Sequence, residues 1–314
     1  MLDILGKRYY FFLLSLLIIV PGLIVLAIHG LPLAVDFKGG SLLEVQFTST
    51  TLPSTEEIVR LYEANGINEV YVQRTSLVQG QPEDSLIIRS PFMDDTTRST
   101  IVENIKTQFN EPNLAITRFE SVGPSIAAAV AQRASLAVAV AALAVIIYIT
   151  LAFRGVPHAF RYGICAIVAM FHDILVVISL TAIGGQLFGW QVDSLYLTAL
   201  LTVIGFSTQD KIVVFDRIRE NSAFLRKLPF EKLANHSIVQ TLQRSINTQL
   251  MTVEFMLLAL ALFGGITLRE FAVILLVGLF SGTYSSIFIA APLLVIWENK
   301  EWRTWFRRQT PKTA

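Results

Sequence analysis

Residues 9–28 read YYFFLLSLLIIVPGLIVLAI, without a single charge. At about 1.5 Å per residue a helix of this length covers about 30 Å, the thickness of a bilayer's hydrocarbon core. Hydrocarbon offers backbone groups no hydrogen-bond partner, so a crossing chain must pair them internally as helices or a closed barrel. A continuous apolar run without alternation points to a helix. Further runs of this kind lie at about 135–153, 161–183, 195–215, 248–263 and 270–297. The run 248–263 is short and would need close packing or local bilayer thinning. Only 16% of residues are charged and 53% are hydrophobic, against about 25% charged in soluble domains. The first run could be a secretory leader, but it is longer than the usual leader core, and no small-x-small cleavage site follows at His29-Gly30-Leu31. It reads as an anchor.

Between the first two runs the composition changes. LLEVQF at 42–47 follows Gly39-Gly40, and PSTEEIVRLYEANGI carries a cap at Ser54 or Thr55, early glutamates and an Asn65-Gly66 stop. EVYVQRT (69–75), SLIIRS (85–90) and LAITRFESV (114–122) read as strands, and a second helix covers roughly 96–109 after Asp94 and Asp95. The order β-α-β-β-α-β is the ferredoxin-like split motif.

Lys and Arg set the orientation. They sit at Lys7 and Arg8, at Arg154 and Arg161, across 217–244, and in the tail from Lys300 to Lys312. The segment 184–194 has none, and 264–269 has only Arg269. The expectation is a polytopic α-helical membrane protein with six transmembrane helices and a small α+β domain outside the membrane. Residues 1–29 form the first helix, 30–128 the periplasmic domain, 129–298 the remaining helices, and 299–314 a basic cytoplasmic tail. Both termini are then cytoplasmic. An amphipathic segment at about 217–247 would also be cytoplasmic, with Leu228, Phe230, Leu233, Ile238 and Leu242 laid on the headgroups.

Within AMFHDILVVISL (169–180), Asp173 lies 12 residues from Arg161 and 10 from Ile183, about 18 Å and about 15 Å along a helix. A carboxylate at that depth is costly and marks a functional site. Tyr162, Ala166, Ala169 and Thr181 share its face, so it points at a neighbouring helix. His172 points elsewhere and reads as packing. In GFSTQDKIVVFDRIREN (205–221), Ser207, Asp210, Val214 and Arg217 share one face, and Lys211 stands beside Asp210. Arg217 could pair with an acid or tune one, whereas Arg219 reads as an orientation anchor. Gly278, Gly282 and Ser286 recur every fourth residue, with Ser281 and Ser285 alongside, as a seam for helix contact. Glu254 has no evident partner. Cys165 is a lone cysteine in an apolar run, so the fold rests on no internal disulfide. No metal-ligand spacing and no phosphate loop is present.

The set VDFKGGSLLEVQF (35–47), SVGPSIA (121–127), FHD (171–173), GFSTQDKIVVFDRIREN, SINT (245–248) and SGTYSSIFIAAPLLV (281–295) resembles the SecF family, the smaller subunit of the bacterial SecDF protein-export complex. The resemblance implies half of an RND-like transporter in the bacterial inner membrane. It implies no enzyme and no cofactor, with the proton-motive force as energy source. SecD would be the partner, with the SecYEG translocon, YajC and YidC around it and preproteins as cargo; nucleic acid is not implied. It places Asp173 and Arg217 at positions implicated in proton conduction, and Asp210 at the family's acidic position. Gln209, Lys211 and Glu254 depart from the family pattern, and Lys211 with Glu254 could form an added relay or ion pair. A half-size RND-like exporter of small molecules or lipids would share the spans and Asp173, but the outer domain is too compact to offer an obvious pocket. An intramembrane aspartyl protease would need two carboxylates sharing one site, and Asp210 is offset in depth from Asp173.

Overall fold

A computed structural model describes residues 3–48, 52–75, 85–154, 159–225, 227–249, 255–264 and 266–301. A 3-10 turn, Leu5–Lys7, leads into α1 (Arg8–His29). The short α2 (Val35–Lys38) precedes β1 (Gly40–Gln46), α3 (Thr55–Ala64), β2 (Tyr71–Thr75), β3 (Ser85–Ser90), α4 (Asp95–Gln108) and β4 (Ala115–Val122). The helical part follows as α5 (Pro124–Ala152), α6 (Ala159–Phe188), α7 (Ser194–Phe224), α8 (Phe230–Gln249), α9 (Phe255–Phe263) and α10 (Ile266–Ser285). A π-helical turn, Ser286–Ala290, joins α10 to α11 (Ala291–Glu298).

The four strands form one antiparallel sheet in the order β2-β3-β1-β4. Alternation along β1 and β3 sends Leu43, Val45, Leu86 and Ile88 to one face, where they pack with Ile58, Leu61 and Tyr62 of α3 and Ile101, Val102 and Ile105 of α4. Both helices start where the sequence signals it. Ser54 and Glu57 form a reciprocal capping box, and Asp94 accepts from the Thr97 amide at 2.9 Å. The Gly39-Gly40 pair turns the chain into β1. Gly40 has φ of 119°, and a Cβ there would lie 2.7 Å from the Ser90 carbonyl oxygen, so only glycine fits.

Among the described residues, five helices are long and apolar enough to cross a membrane: Leu5–His29, Pro124–Ala152, Ala159–Phe188, Ser194–Phe224 and Leu268–Glu298. The short run at 248–263 shows only the nine residues of α9 as a helix of its own after α8; Glu254 lies outside the described residues. The helices α6, α7 and α10 bury about half or more of their most apolar windows, whereas α1 and α5 bury little. Those two helices present Leu13, Leu16, Leu17, Leu136, Val140 and Leu143 outward.

The sheet domain is pinned to the connection between α6 and α7. Val192 donates to the Pro32 carbonyl at 2.7 Å, and Ala34 donates back to Val192 at 2.9 Å. Asp36 accepts from the Ser194 amide and hydroxyl at 3.1 and 2.6 Å. At the opposite end, Arg8 bridges Glu231 of α8 and Glu301, both at 2.7 Å, and Arg161 reaches Glu298 at 2.7 Å. The apolar face of α8 is spent on the protein rather than on headgroups. Leu233 and Ile238 are buried in a core with Val214, Phe215 and Ile218 of α7, because the long α7 extends past the apolar region and offers them a surface.

Candidate functional site

Asp173 lies midway along the thirty-residue α6. Its helix turns Tyr162, Ala166, Ala169 and Thr181 inward with it, all buried, as the helical period requires. Two further helices converge on the carboxylate. From α7, the Ser207 hydroxyl donates to Oδ2 at 2.6 Å and the Lys211 ammonium at 2.8 Å. From α10, Ser281 donates to Oδ1 and Ser285 to Oδ2, both at 2.7 Å. His172 Nδ1 lies 3.1 Å from Oδ1. Lys211 also donates to the Ser207 carbonyl at 3.2 Å and to the Ser207 hydroxyl.

The glycines of α10 make this convergence possible. A Cβ on Gly278 would lie 2.3 Å from Cγ2 of Val203, and one on Gly282 would lie 3.1 Å from the Ser207 Cα. Without side chains at those two positions, α10 approaches α7 closely enough for both to reach Asp173. Ser281 and Ser285 are four residues apart, as are Ser207 and Lys211, so each helix presents one stacked pair. Ser286 is buried and donates to the Thr283 carbonyl at 2.8 Å, at the start of the π-helical turn. Such turns are frequent at functional sites.

The electrostatics are those of a dry ion pair. Asp173 and Lys211 are each 1% exposed. Desolvating two such charges costs several kcal/mol each, which is offset only by good geometry and filled hydrogen-bonding capacity. Here the carboxylate receives three hydroxyls and an ammonium, close to its full complement of about four acceptor sites.

The remaining expected residues fall elsewhere. Asp210 is buried, at 7% exposure, but its partner is Thr283, whose hydroxyl donates to it at 2.8 Å. Lys211 therefore neutralises Asp173 and not its sequence neighbour. Arg217 is not brought to either buried acid. It contacts Gln240 of α8 at 2.7 Å and Glu220 at 2.6 Å. Arg219 pairs with Asp216. The serines Ser281 and Ser285 and the histidine at 172 contact Asp173, although their residue types and positions read as packing. The signal that points to them is the pair of hydroxyls four residues apart on an apolar helix.

Comparison with known proteins follows the same lines. Residues 101–300 match the family described as "Protein export membrane protein SecD/SecF, C-terminal", and residues 24–51 match the SecD/SecF GG motif. The chain is 68% identical over 308 residues to the protein translocase subunit SecF of Anaerolinea thermophila, covering 98% of each. It is 46% identical over 320 residues to that of Thermobaculum terrenum, covering 100% of this chain and 99% of the relative. Among solved structures it is similar to SecDF, a translocon-associated membrane protein from Thermus thermophilus, with a TM-score of 0.80 and 30% identity, covering 95% of this chain. The chain spans 39% of that longer SecDF chain.

Proposed function

Given that the chain belongs to the SecF family of protein translocase subunits, we propose that it is the SecF half of a SecDF-type machine, powered by protons crossing at Asp173. The single observation that carries the proton reading is the Asp173–Lys211 pair, dry and shared by three helices. With Asp173 ionised, the pair and the serine hydroxyls tie α6, α7 and α10 together. Protonation removes the charge that Lys211 answers and weakens the hydrogen bonds from Ser281 and Ser285. The helices then have two arrangements, one for each protonation state. One proton moving through 100 mV supplies about 2.3 kcal/mol, about fiftyfold in such an equilibrium. That suffices to bias the helices without locking them.

Asp210 stands one helical turn from Ser207 on the same helix and extends the polar track toward the end of the bundle that carries Arg217. We assign Arg217 to the joint between α7 and α8, where Gln240 holds it, and not to the proton path itself. The track serves a chain that crosses the bilayer six times, with both termini cytoplasmic and the sheet domain periplasmic. The sequence run ending in α9 supplies the sixth crossing, and the alternation of Lys and Arg supports the orientation. The strand order β2-β3-β1-β4, with α3 and α4 on one face, supports the ferredoxin-like reading of that domain. SecD is the partner that completes the machine, since the chain spans about two-fifths of the solved SecDF chain. Preprotein leaving SecYEG is the cargo, with YajC and YidC as neighbours in the inner membrane.

The test is preprotein translocation by inverted vesicles carrying the complete complex. Asp173→Asn is expected to remove the stimulation by the proton-motive force and leave the force-independent rate. Stimulation equal to wild type in that variant would end the proposal.

A further inference from the structure

The two oxygens of Asp173 face different nitrogen bases. Oδ2 takes Lys211, Ser207 and Ser285, while Oδ1 takes Ser281 and lies 3.1 Å from Nδ1 of His172. The His172 side chain is 11% exposed. Its far nitrogen, Nε2, is buried and has no hydrogen-bond partner among the described residues. The ring stacks on Tyr284, with centroids 6.0 Å apart and planes 25° apart. Tyr284 is not the missing partner, because its hydroxyl donates to the Phe11 carbonyl at 2.7 Å and accepts from Ser15 at 3.3 Å. A packing histidine would have both nitrogens satisfied or one in solvent. This ring instead has one nitrogen on the carboxylate and the other buried without a partner among the described residues.

We propose that His172 is the second proton-exchanging group of the site, passing protons to and from Oδ1 of Asp173 through its own two nitrogens. The inference rests on the proton-relay reading above. A proton arriving at Nε2 forms an N–H bond there and makes the ring an imidazolium. The Nδ1–H bond then breaks as an O–H bond forms on Oδ1, leaving a neutral ring and a neutral carboxyl group. The Oδ1–H bond later breaks as the carboxyl group gives its proton to water admitted when the helices rearrange, and Asp173 is again a carboxylate. A turn of the ring returns the remaining N–H to the Asp173 side. One proton has entered and one has left. The titratable groups facing His172 are Asp173 in contact, Tyr284 in the stack, and Lys211 across the carboxylate with Asp210 beside it. From α1, the Phe11 carbonyl and the Ser15 hydroxyl bond the Tyr284 hydroxyl.

The experiment measures proton flux into proteoliposomes holding the complete SecD–SecF complex, across a pH series, for wild type, His172→Gln, His172→Phe and Asp173→Asn. Glutamine keeps a donor to Oδ1 but does not titrate; phenylalanine keeps the stack on Tyr284 but no donor. Both are expected to co-purify with SecD and to lose about tenfold or more in flux, in line with removal of a general acid–base group. Both should also lose one limb of the wild-type pH profile. A His172→Gln complex with flux and pH profile like wild type, beside an inactive Asp173→Asn, overturns the role of His172 and leaves the Asp173 reading standing. Wild-type flux in Asp173→Asn overturns both. Loss in phenylalanine with full activity in glutamine assigns His172 to positioning Asp173 and also overturns the proton-exchange role.

Discussion

At the scale of the residue, Asp173 shows what a sequence announces and what it withholds. Its place midway along α6 and its inward face follow from counting residues along one helix, since both are local. Its counter-ion does not, because Lys211 reaches it only after α6 and α7 pack. Read alone, Lys211 stands beside Asp210, yet one helical residue turns the chain by about 100° and sends its ammonium to another acid. Ser281 and Ser285 were legible as small residues, but their hydroxyls acquire meaning only from the acid opposite. The pair also makes a stability prediction. Asp173→Asn leaves Lys211 buried without its anion, a loss of about 3–5 kcal/mol. Adding Lys211→Met removes the orphaned charge and should recover most of that loss. Thermal unfolding of the purified chain and its two variants checks this: the double variant is expected to melt well above the single one, although neither restores proton-dependent transport. Equal melting of wild type and Asp173→Asn would show that the pair contributes nothing.

At the scale of the element, close approaches decide which helices meet. A Cβ on Gly22 of α1 would lie 2.2 Å from Cβ and 2.4 Å from Cα of Ser179 in α6. The same Ser179 hydroxyl donates to the Ile19 carbonyl at 3.0 Å. Gly22→Ala should therefore push α1 off α6 and cost about 1–3 kcal/mol, read as a lower melting temperature. Gly30→Ala, at the open end of α1 with nothing nearby, should spare this packing. It tests contact against backbone strain, since φ there is 74°. In the sheet domain, elements were legible almost to the residue, because Ser54, Glu57 and Asp94 are local caps that act wherever the domain sits. Hydrogen bonds from Thr97, first through its side chain and then its backbone amide, and from Thr96 hold the Asp94 carboxyl below its usual range. A carboxyl with a depressed folded value stabilises above its unfolded value, about 3.9, and loses that contribution as pH falls through the folded value. The protection of the amides at the start of α4 against exchange, relative to the intrinsic rate at each pH, should fall below about pH 4, and Asp94→Asn, which caps without titrating, should flatten that dependence.

At the scale of the whole molecule, the separation of a sheet domain from a helical body was legible from composition, but the joint between them was not. The bonds of Pro32, Ala34 and Asp36 to Val192 and Ser194 join positions some 160 residues apart, and no local pattern encodes such a pairing. The same holds for Arg8 with Glu231 and Glu301. The charged end of the bundle is thereby latched across α1, α8 and the residues after α11. Orientation is testable with single cysteines, because the native Cys165 is buried. Glu56 on the sheet domain and Lys227 before α8 are exposed. A membrane-impermeant maleimide applied to spheroplasts should label Glu56→Cys and spare Lys227→Cys until the membrane is opened. The reverse pattern would invert the proposed topology.

The central claim is that the dry carboxylate on α6 takes up and releases protons in the working complex. The direct measurement is proton uptake by sealed proteoliposomes of the SecD–SecF complex under an imposed pH gradient, comparing wild type with the Asp173→Asn, Lys211→Met double variant, whose stability is expected to be close to native. The account predicts uptake in the wild type and none above the empty-liposome leak in the double variant. Uptake at the wild-type rate in the double variant would contradict it.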